Sequence, residues 1–166
     1  FYSIVDKGYY TVGANVNTRH SQLRCEPGFK CSGGEKTKST NGIDYQPNPG
    51  QDVCLPCSRC VSGSMVAVEC TFDKNTQCIE CEAGKFSPDG KICKPCSSGE
   101  LSNGNSTFCS KVRPGHYIPN IEKRVVEAPC SPNSYSIGSE DNCIECSENT
   151  FSSEGSSVCE KCAPGH

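Results

Sequence analysis

The feature that most constrains this chain is the spacing of its cysteines. Cys81 to Cys93 encloses eleven residues, and Cys96 to Cys109, Cys130 to Cys143 and Cys146 to Cys159 each enclose twelve. Two residues beyond a closing cysteine the next unit opens, at Cys96, Cys146 and Cys162. A C-x(11–12)-C-x2 unit in tandem means one small element repeated about every 15 to 16 residues. The units share a texture, in "EAGKFSPDGKI", "SPNSYSIGSEDN" and "SENTFSSEGSSV": one aromatic (Phe86, Tyr135, Phe151), then Ser and Gly before the closing cysteine. Gly and Ser supply a turn, and no 3.6-residue apolar period is present. The expected fold is small and disulfide-rich: an elongated ladder of short irregular β-hairpin and loop rungs with little or no helix.

Cross-links are needed because the chain is poor in core-forming residues. Leu, Ile, Val and Phe together number 28 of 166 residues, and Trp is absent, against 16 cysteines. So few apolar side chains cannot offset the entropy of ordering the chain unless covalent links reduce it. Zinc is the competing use of paired Cys-x-x-Cys, and Cys78/Cys81/Cys93/Cys96 and Cys143/Cys146/Cys159/Cys162 have roughly that layout. The Cys54, Cys57, Cys60 triplet and the isolated Cys109 and Cys130 do not partition into tetrads, and the repeat runs on without breaking into islands. Disulfides are the reading that follows. They place the chain in an oxidising compartment, secreted or on the cell surface.

One unit lacks its pair. The repeat calls for cysteines at 112 and 127, where Val112 and Glu127 stand, yet "VRPGHYIPNIEKRVVE" keeps the repeat length. Joint loss of two positions fits partners that bond each other. This rung, residues 112–129, is expected to be a soft point or hinge.

The middle of the chain differs. In "CLPCSRCVSGSMVAVECTFDKNTQCIEC" an arrangement that crosses Cys57–Cys70 with Cys60–Cys78 is plausible, with "SMVAVEC" alternating enough for one strand. The rungs give Cys81–Cys93, Cys96–Cys109, Cys130–Cys143 and Cys146–Cys159. Cys31–Cys54 would close the first module, leaving Cys25 and Cys162 unassigned, each a possible link to another copy or to flanking chain. A Cys162-to-Cys25 bond between copies would make a head-to-tail fibre. Alternatively Cys25 pairs with Cys31 or Cys54.

The stretch "CSRCVSGSMVAVECTFDKNTQCIECEAGKFS", with "DKNTQCIECEAGKF" at its end, resembles the cysteine-rich repeat of tumour-necrosis-factor receptors. Residues 81–166 resemble ephrin-receptor-like, growth-factor-receptor cysteine-rich repeats, through "C-x-x-G-x-F/Y-S" and the closing Cys-x-x-Cys. These resemblances imply rod-like ladders of disulfide-linked modules outside the cell, and they carry over no catalytic residue. The expected organisation is an N-terminal arm (1–24), receptor-like module or modules (25–80), two rungs (81–111), the disulfide-free rung (112–129), then two rungs and the start of a third (130–166).

No nucleophile–base set, phosphate loop or carboxylate dyad can be placed, and His20, His116 and His166 are scattered. Neither an enzyme nor a cofactor is expected. A net charge of -3 without a basic run argues against nucleic acid, and no apolar stretch is long enough to span a membrane. Partners are expected to be proteins, through self-association or a ligand, with glycans possible at the sequon Asn105-Ser106-Thr107. The aromatic arm (Phe1, Tyr2, Tyr9, Tyr10) either adds to a partner's sheet edge or folds back on the first module. Two functions remain. The leading one is an extracellular structural or adhesive spacer, a stalk, coat or fibre segment; the alternative is a ligand-binding receptor ectodomain.

Overall fold

The computed structural model describes residues 5–12 and 21–163. Among them there is no helix, and eighteen short strands pair into nine two-stranded sheets. Seven disulfides cross-link them. This is a small disulfide-rich, all-β, ladder-like fold. The chain divides into two compact units, Phe1–Cys60 with Val66–Cys78, and Val61–Met65 with Ile79–His166.

The strands of the first half are β1 (Tyr9–Thr11), β2 (Gln22–Arg24), β3 (Phe29–Cys31), β4 (Lys36–Lys38), β5 (Asp44–Tyr45), β6 (Leu55–Pro56), β7 (Ser64–Val68) and β8 (Gln77–Glu80). β1 pairs with β2, β3 with β4 and β5 with β6, all antiparallel. The described residues 5–12 lie against the first module. Gly8 N–H donates to the Cys31 carbonyl at 2.8 Å, and Gly34 N–H donates to the Tyr9 carbonyl at 3.1 Å. Lys36 Nζ lies 4.7 Å from the centre of the Tyr10 ring and 4.2 Å from that of Phe29, and pairs with Glu26 at 2.5 Å. This contact satisfies the cation and covers two rings that have no deep core to enter. Phe1, Tyr2 and His20 lie outside the described residues.

One sequence-based pairing is corrected. Cys31 is bonded to Cys25, not to Cys54. Both sulfur-bearing residues are fully buried, and the Cα atoms are 6.1 Å apart, within disulfide reach. The turn through Gly28 brings the two ends of a six-residue span together, whereas Cys54 lies against Ser39. Cys25 is therefore not open to another copy, and the Cys162-to-Cys25 fibre link loses its basis.

The remaining strands form five successive antiparallel hairpins: β9 (Lys85–Phe86) with β10 (Lys94–Pro95), β11 (Glu100–Leu101) with β12 (Ser110–Lys111), β13 (His116–Tyr117) with β14 (Ala128–Pro129), β15 (Ser134–Tyr135) with β16 (Ile144–Glu145), and β17 (Thr150–Phe151) with β18 (Glu160–Lys161). Each begins the same way. Three residues after the opening position stands a residue with positive φ: Gly84, Gly99, Gly115, Asn133 and Asn149. Its carbonyl accepts the N–H of the next opening residue, Cys96, Val112, Cys130, Cys146 and Cys162 respectively, at 2.8 to 3.0 Å. One left-handed residue thus both turns the chain into its hairpin and presents the acceptor for the next rung. At Gly99 the requirement is also steric, because a Cβ there would strike the Ser139 carbonyl.

Six residues after the opening position a small residue is buried: Ser87, Ser102, Ser136 and Ser152. Their hydroxyls are satisfied locally. Ser102 Oγ donates to the Lys85 carbonyl at 2.9 Å and accepts Gly104 N–H at 3.1 Å; Ser152 Oγ donates to the Ser134 carbonyl at 2.8 Å. With buried opening cysteines at Cys81, Cys96 and Cys130 and a half-buried Cys146–Cys159 pair, the interior of a rung is sulfur and hydrogen bonds in place of aliphatic core.

The rung that lacks cysteines uses different atoms at the same places. Val112 occupies the opening position and Ile118 the buried-serine position, each 2% exposed. Glu127, at the closing position, accepts the Arg113 amide at 2.9 Å and pairs with the Arg113 guanidinium. Burial acts to raise the Glu127 pKa, but those two contacts outweigh it and lower it. Arg124 from the same rung makes a two-pronged ion pair with Asp141 of the following rung, at 2.6 and 2.7 Å. It also donates to the Ser97 carbonyl of the preceding rung at 3.0 Å. Asp141 accepts Gly99 N–H at 2.8 Å and Ser98 Oγ–H at 2.9 Å. Its carboxyl is held well below the usual range, chiefly by Arg124, with burial opposing and Gly99 and Ser98 assisting. Both side chains are about 15% exposed, so solvent screens the pair little.

Candidate protein-binding site

Residues 40–78 hold the hairpin β5–β6 and the crossed disulfides that precede the rungs. The hairpin is opened by the turn at Gly42, whose φ is +76°. The Thr40 N–H donates to Asp44 Oδ1 at 2.5 Å, and Asp44 N–H donates back to the Thr40 carbonyl at 3.0 Å. Tyr45 faces Leu55 across the pair, and Cys57 N–H donates to the Ile43 carbonyl at 2.9 Å. The hairpin closes on Gln46, which is 2% exposed. Gln46 Nε2 donates to the Val53 carbonyl at 2.6 Å, its Oε1 accepts Asn48 N–H at 3.0 Å, and its backbone bonds Gly28 and Phe72. A buried amide so fully used orders the Pro47–Pro49 loop that would otherwise be loose.

Beyond the hairpin, Cys57–Cys70 and Cys60–Cys78 are both formed, with Cα separations of 5.9 and 5.6 Å. Asn75 ties the segment "DKNT" back to the first turn of the crossed pair: it accepts Ser58 N–H at 2.8 Å and donates to Ser58 Oγ at 2.7 Å. Lys38 lies 4.5 Å over the Phe72 ring. The inner side of the module is therefore committed to its own structure. Ile43 (67% exposed), Val53 and Leu55 are exposed on its hairpin.

The other sites expected from sequence fall as follows. Cys81–Cys93, Cys96–Cys109, Cys130–Cys143 and Cys146–Cys159 are bonded. The four cysteines of the first zinc-like layout are thus divided among three disulfides, through Cys60, Cys93 and Cys109. Cys54 and Cys162 are unbonded. Cys162 is placed like an opening cysteine, its N–H on the Asn149 carbonyl at 3.0 Å. Asn105 is exposed in a left-handed turn, φ +46°, and its Nδ2 donates to Glu80 Oε1 at 3.0 Å. His116 Nδ1 is 3.1 Å from the Pro114 carbonyl and Nε2 is 3.3 Å from Arg113, a loop contact; His166 lies outside the described residues. No helix among the described residues is long and apolar enough to cross a membrane.

Two participants do not follow from cysteine spacing. Ser39 lies against Cys54, and the signal was its place fifteen residues before that cysteine, close to the spacing of the rung pairs. Asp141 carried no signal, since its partner Arg124 lies in another rung.

Comparison with known families gives one match. Residues 40–78 fit the family model of the TNFR/NGFR cysteine-rich region. The segment with the crossed disulfides and the exposed hairpin thus contains a TNFR cysteine-rich region. With seven disulfides, this is the chemistry of a protein outside the cell or at its surface.

Proposed function

We propose that this chain is a non-enzymatic, extracellular protein-binding segment of the receptor type, in which residues 40–78 engage a protein ligand. The observation that carries this reading is the match of those residues to the TNFR/NGFR cysteine-rich region, on a hairpin whose exposed positions are Ile43, Val53 and Leu55. Exposed apolar side chains on a hairpin adjoining the Cys57–Cys70 and Cys60–Cys78 cross-links are suited to act as contact anchors. The test is a panel of purified secreted and cell-surface proteins probed with the chain fused to an antibody constant region. A specific binder that is lost in Ile43→Asp with Leu55→Asp, while the seven disulfides persist, supports the reading. Binding that survives both changes removes the hairpin as the contact.

The spacer reading, a stalk, coat or fibre element, is favoured by a different observation: the rung-to-rung hydrogen bonds repeat from Gly84 to Cys162 with little variation. Regular nearest-neighbour contacts suit a part whose role is to hold position. Concentration-dependent assembly in analytical ultracentrifugation would favour it, and a monodisperse chain would favour the binding role alone. A glycan on Asn105 would have to displace its bond to Glu80; a mass shift on enzymatic deglycosylation of secreted protein tests it.

A further inference from the structure

We infer that Ser39 occupies the position of a half-cystine, so that the β5–β6 hairpin is closed by a Ser–Cys contact where its neighbours are closed by disulfides, and can open and reclose with every disulfide intact. Four observations converge. Ser39 Oγ and Cys54 Sγ are 2.7 Å apart. Ser39 N–H donates to the Gly28 carbonyl at 2.8 Å, the same bond to a left-handed glycine that Cys25 makes to Gly8 and Cys96 to Gly84. Ser39 is 5% exposed, as buried as the opening cysteines Cys81 and Cys96 at 3% and 6%. The separation from Ser39 to Cys54 is fifteen residues, inside the range of 12 to 18 spanned by the six longer disulfide loops.

A Ser–Cys contact holds the hairpin shut but does not remove states from the open ensemble, as a covalent loop closure would. What keeps residues 40–57 closed is then the Thr40–Asp44 turn, the Gln46 amide and the short strand pair. Each of these is a hydrogen bond of modest net worth, and local opening is governed by such sums. The hairpin bearing Ile43, Val53 and Leu55 is therefore the adaptable part of a module that is otherwise fixed by Cys57–Cys70 and Cys60–Cys78. This holds whether or not the hairpin binds a ligand.

The test is Ser39→Cys, refolded in a glutathione redox buffer, where the two thiols give up two protons and two electrons to oxidised glutathione. Wild-type protein denatured without reductant should take up alkylating reagent at Cys54 and Cys162 only; in the variant only Cys162 should label, and a peptide joining positions 39 and 54 should appear. Hydrogen exchange of the Asp44 and Cys57 amides should slow at least tenfold. Labelling of both position 39 and Cys54 in a variant with the other seven pairs intact overturns the inference, as does unchanged exchange in a variant that forms the bond. Should the variant scramble, Cys54→Ser decides: the inference requires all seven pairs and an unchanged exchange pattern, and loss of either contradicts it.

Discussion

The rung at 112–129 and its neighbours at 96–109 and 130–143 have the same backbone plan and different interiors. In the neighbours a disulfide joins the opening and closing positions and a serine is buried six residues after the opening cysteine. In the rung between them two aliphatic side chains fill the interior, and two ion pairs fasten the edge. The Val112 N–H still bonds the Gly99 carbonyl, and Gly115 still receives the Cys130 N–H. One bond does change hands. Gly84, Gly115 and Asn133 donate their N–H to the carbonyl of the buried serine in the next rung, Ser102, Ser136 and Ser152, but Gly99 donates to the Asp141 carboxylate. The lesson is that a rung is defined by its left-handed turn and its hydrogen bonds to adjacent rungs. What fills and ties it is replaceable.

Five variants would break or sharpen that contrast. The largest effect is expected where the interiors differ most. Ile118→Ala should destabilise its rung by roughly 3 kcal/mol, as expected for a buried aliphatic residue, whereas Ser102→Ala at the equivalent place should cost about 1 kcal/mol, one buried hydroxyl's hydrogen bonds. Native-state hydrogen exchange of the two rungs measures both, and equal effects would remove the distinction between them. Next, Asp141→Asn leaves Arg124 half-buried without its counter-charge and should cost about 3 kcal/mol, the low end for breaking a buried pair; increased cleavage by trypsin at Lys123 and Arg124 reads it out. Third, Val112→Cys with Glu127→Cys should close an eighth disulfide and stabilise by up to about 3 kcal/mol, scored by the linked peptide and by resistance to the same protease. Last, Arg113→Ala should change stability by less than about 1 kcal/mol, because Arg113 is 69% exposed in its pair with Glu127.

How much of this was legible follows from where the information lies. The rung period and the vacancy at Val112 and Glu127 are local spacings, and spacing survives in sequence. The left-handed turn was also written there, as Gly or Asn three residues after each opening position, although composition alone does not separate it from other glycines. Cys31 was misassigned because spacing read from the long rungs does not describe a six-residue loop. Ser39 is not legible from cysteine spacing, because a serine in a cysteine's place breaks the pattern it belongs to. The Arg124–Asp141 pair was out of reach, since the two residues meet only through the stacking of successive rungs. Arg124 stands in a charged run, Glu122-Lys123-Arg124, yet its side chain is turned inward.

The hinge expected at 112–129 becomes a proposal about conditions. Asp141 and Glu127 both have folded pKa values below their unfolded ones. Such carboxylates stabilise fully above their ordinary range near pH 4, and that contribution is lost as pH falls through the lowered values. The neighbours' disulfides do not titrate. The rung should therefore be firm at neutral pH and soften selectively in strong acid.

The most direct measurement is amide hydrogen exchange, expressed as protection over the intrinsic rate, at neutral pH and again well below pH 3. The amides to compare are Val112, Cys130 and Ser139, whose bonds involve the cysteine-free rung, with Cys96 and Cys146, whose bonds do not. The account predicts protection of the same order in both sets at neutral pH and a loss confined to the first set in acid. Unprotected Val112, Cys130 and Ser139 amides at neutral pH would contradict it, because the ion pairs and the two buried side chains would then not be doing the work of the missing disulfide.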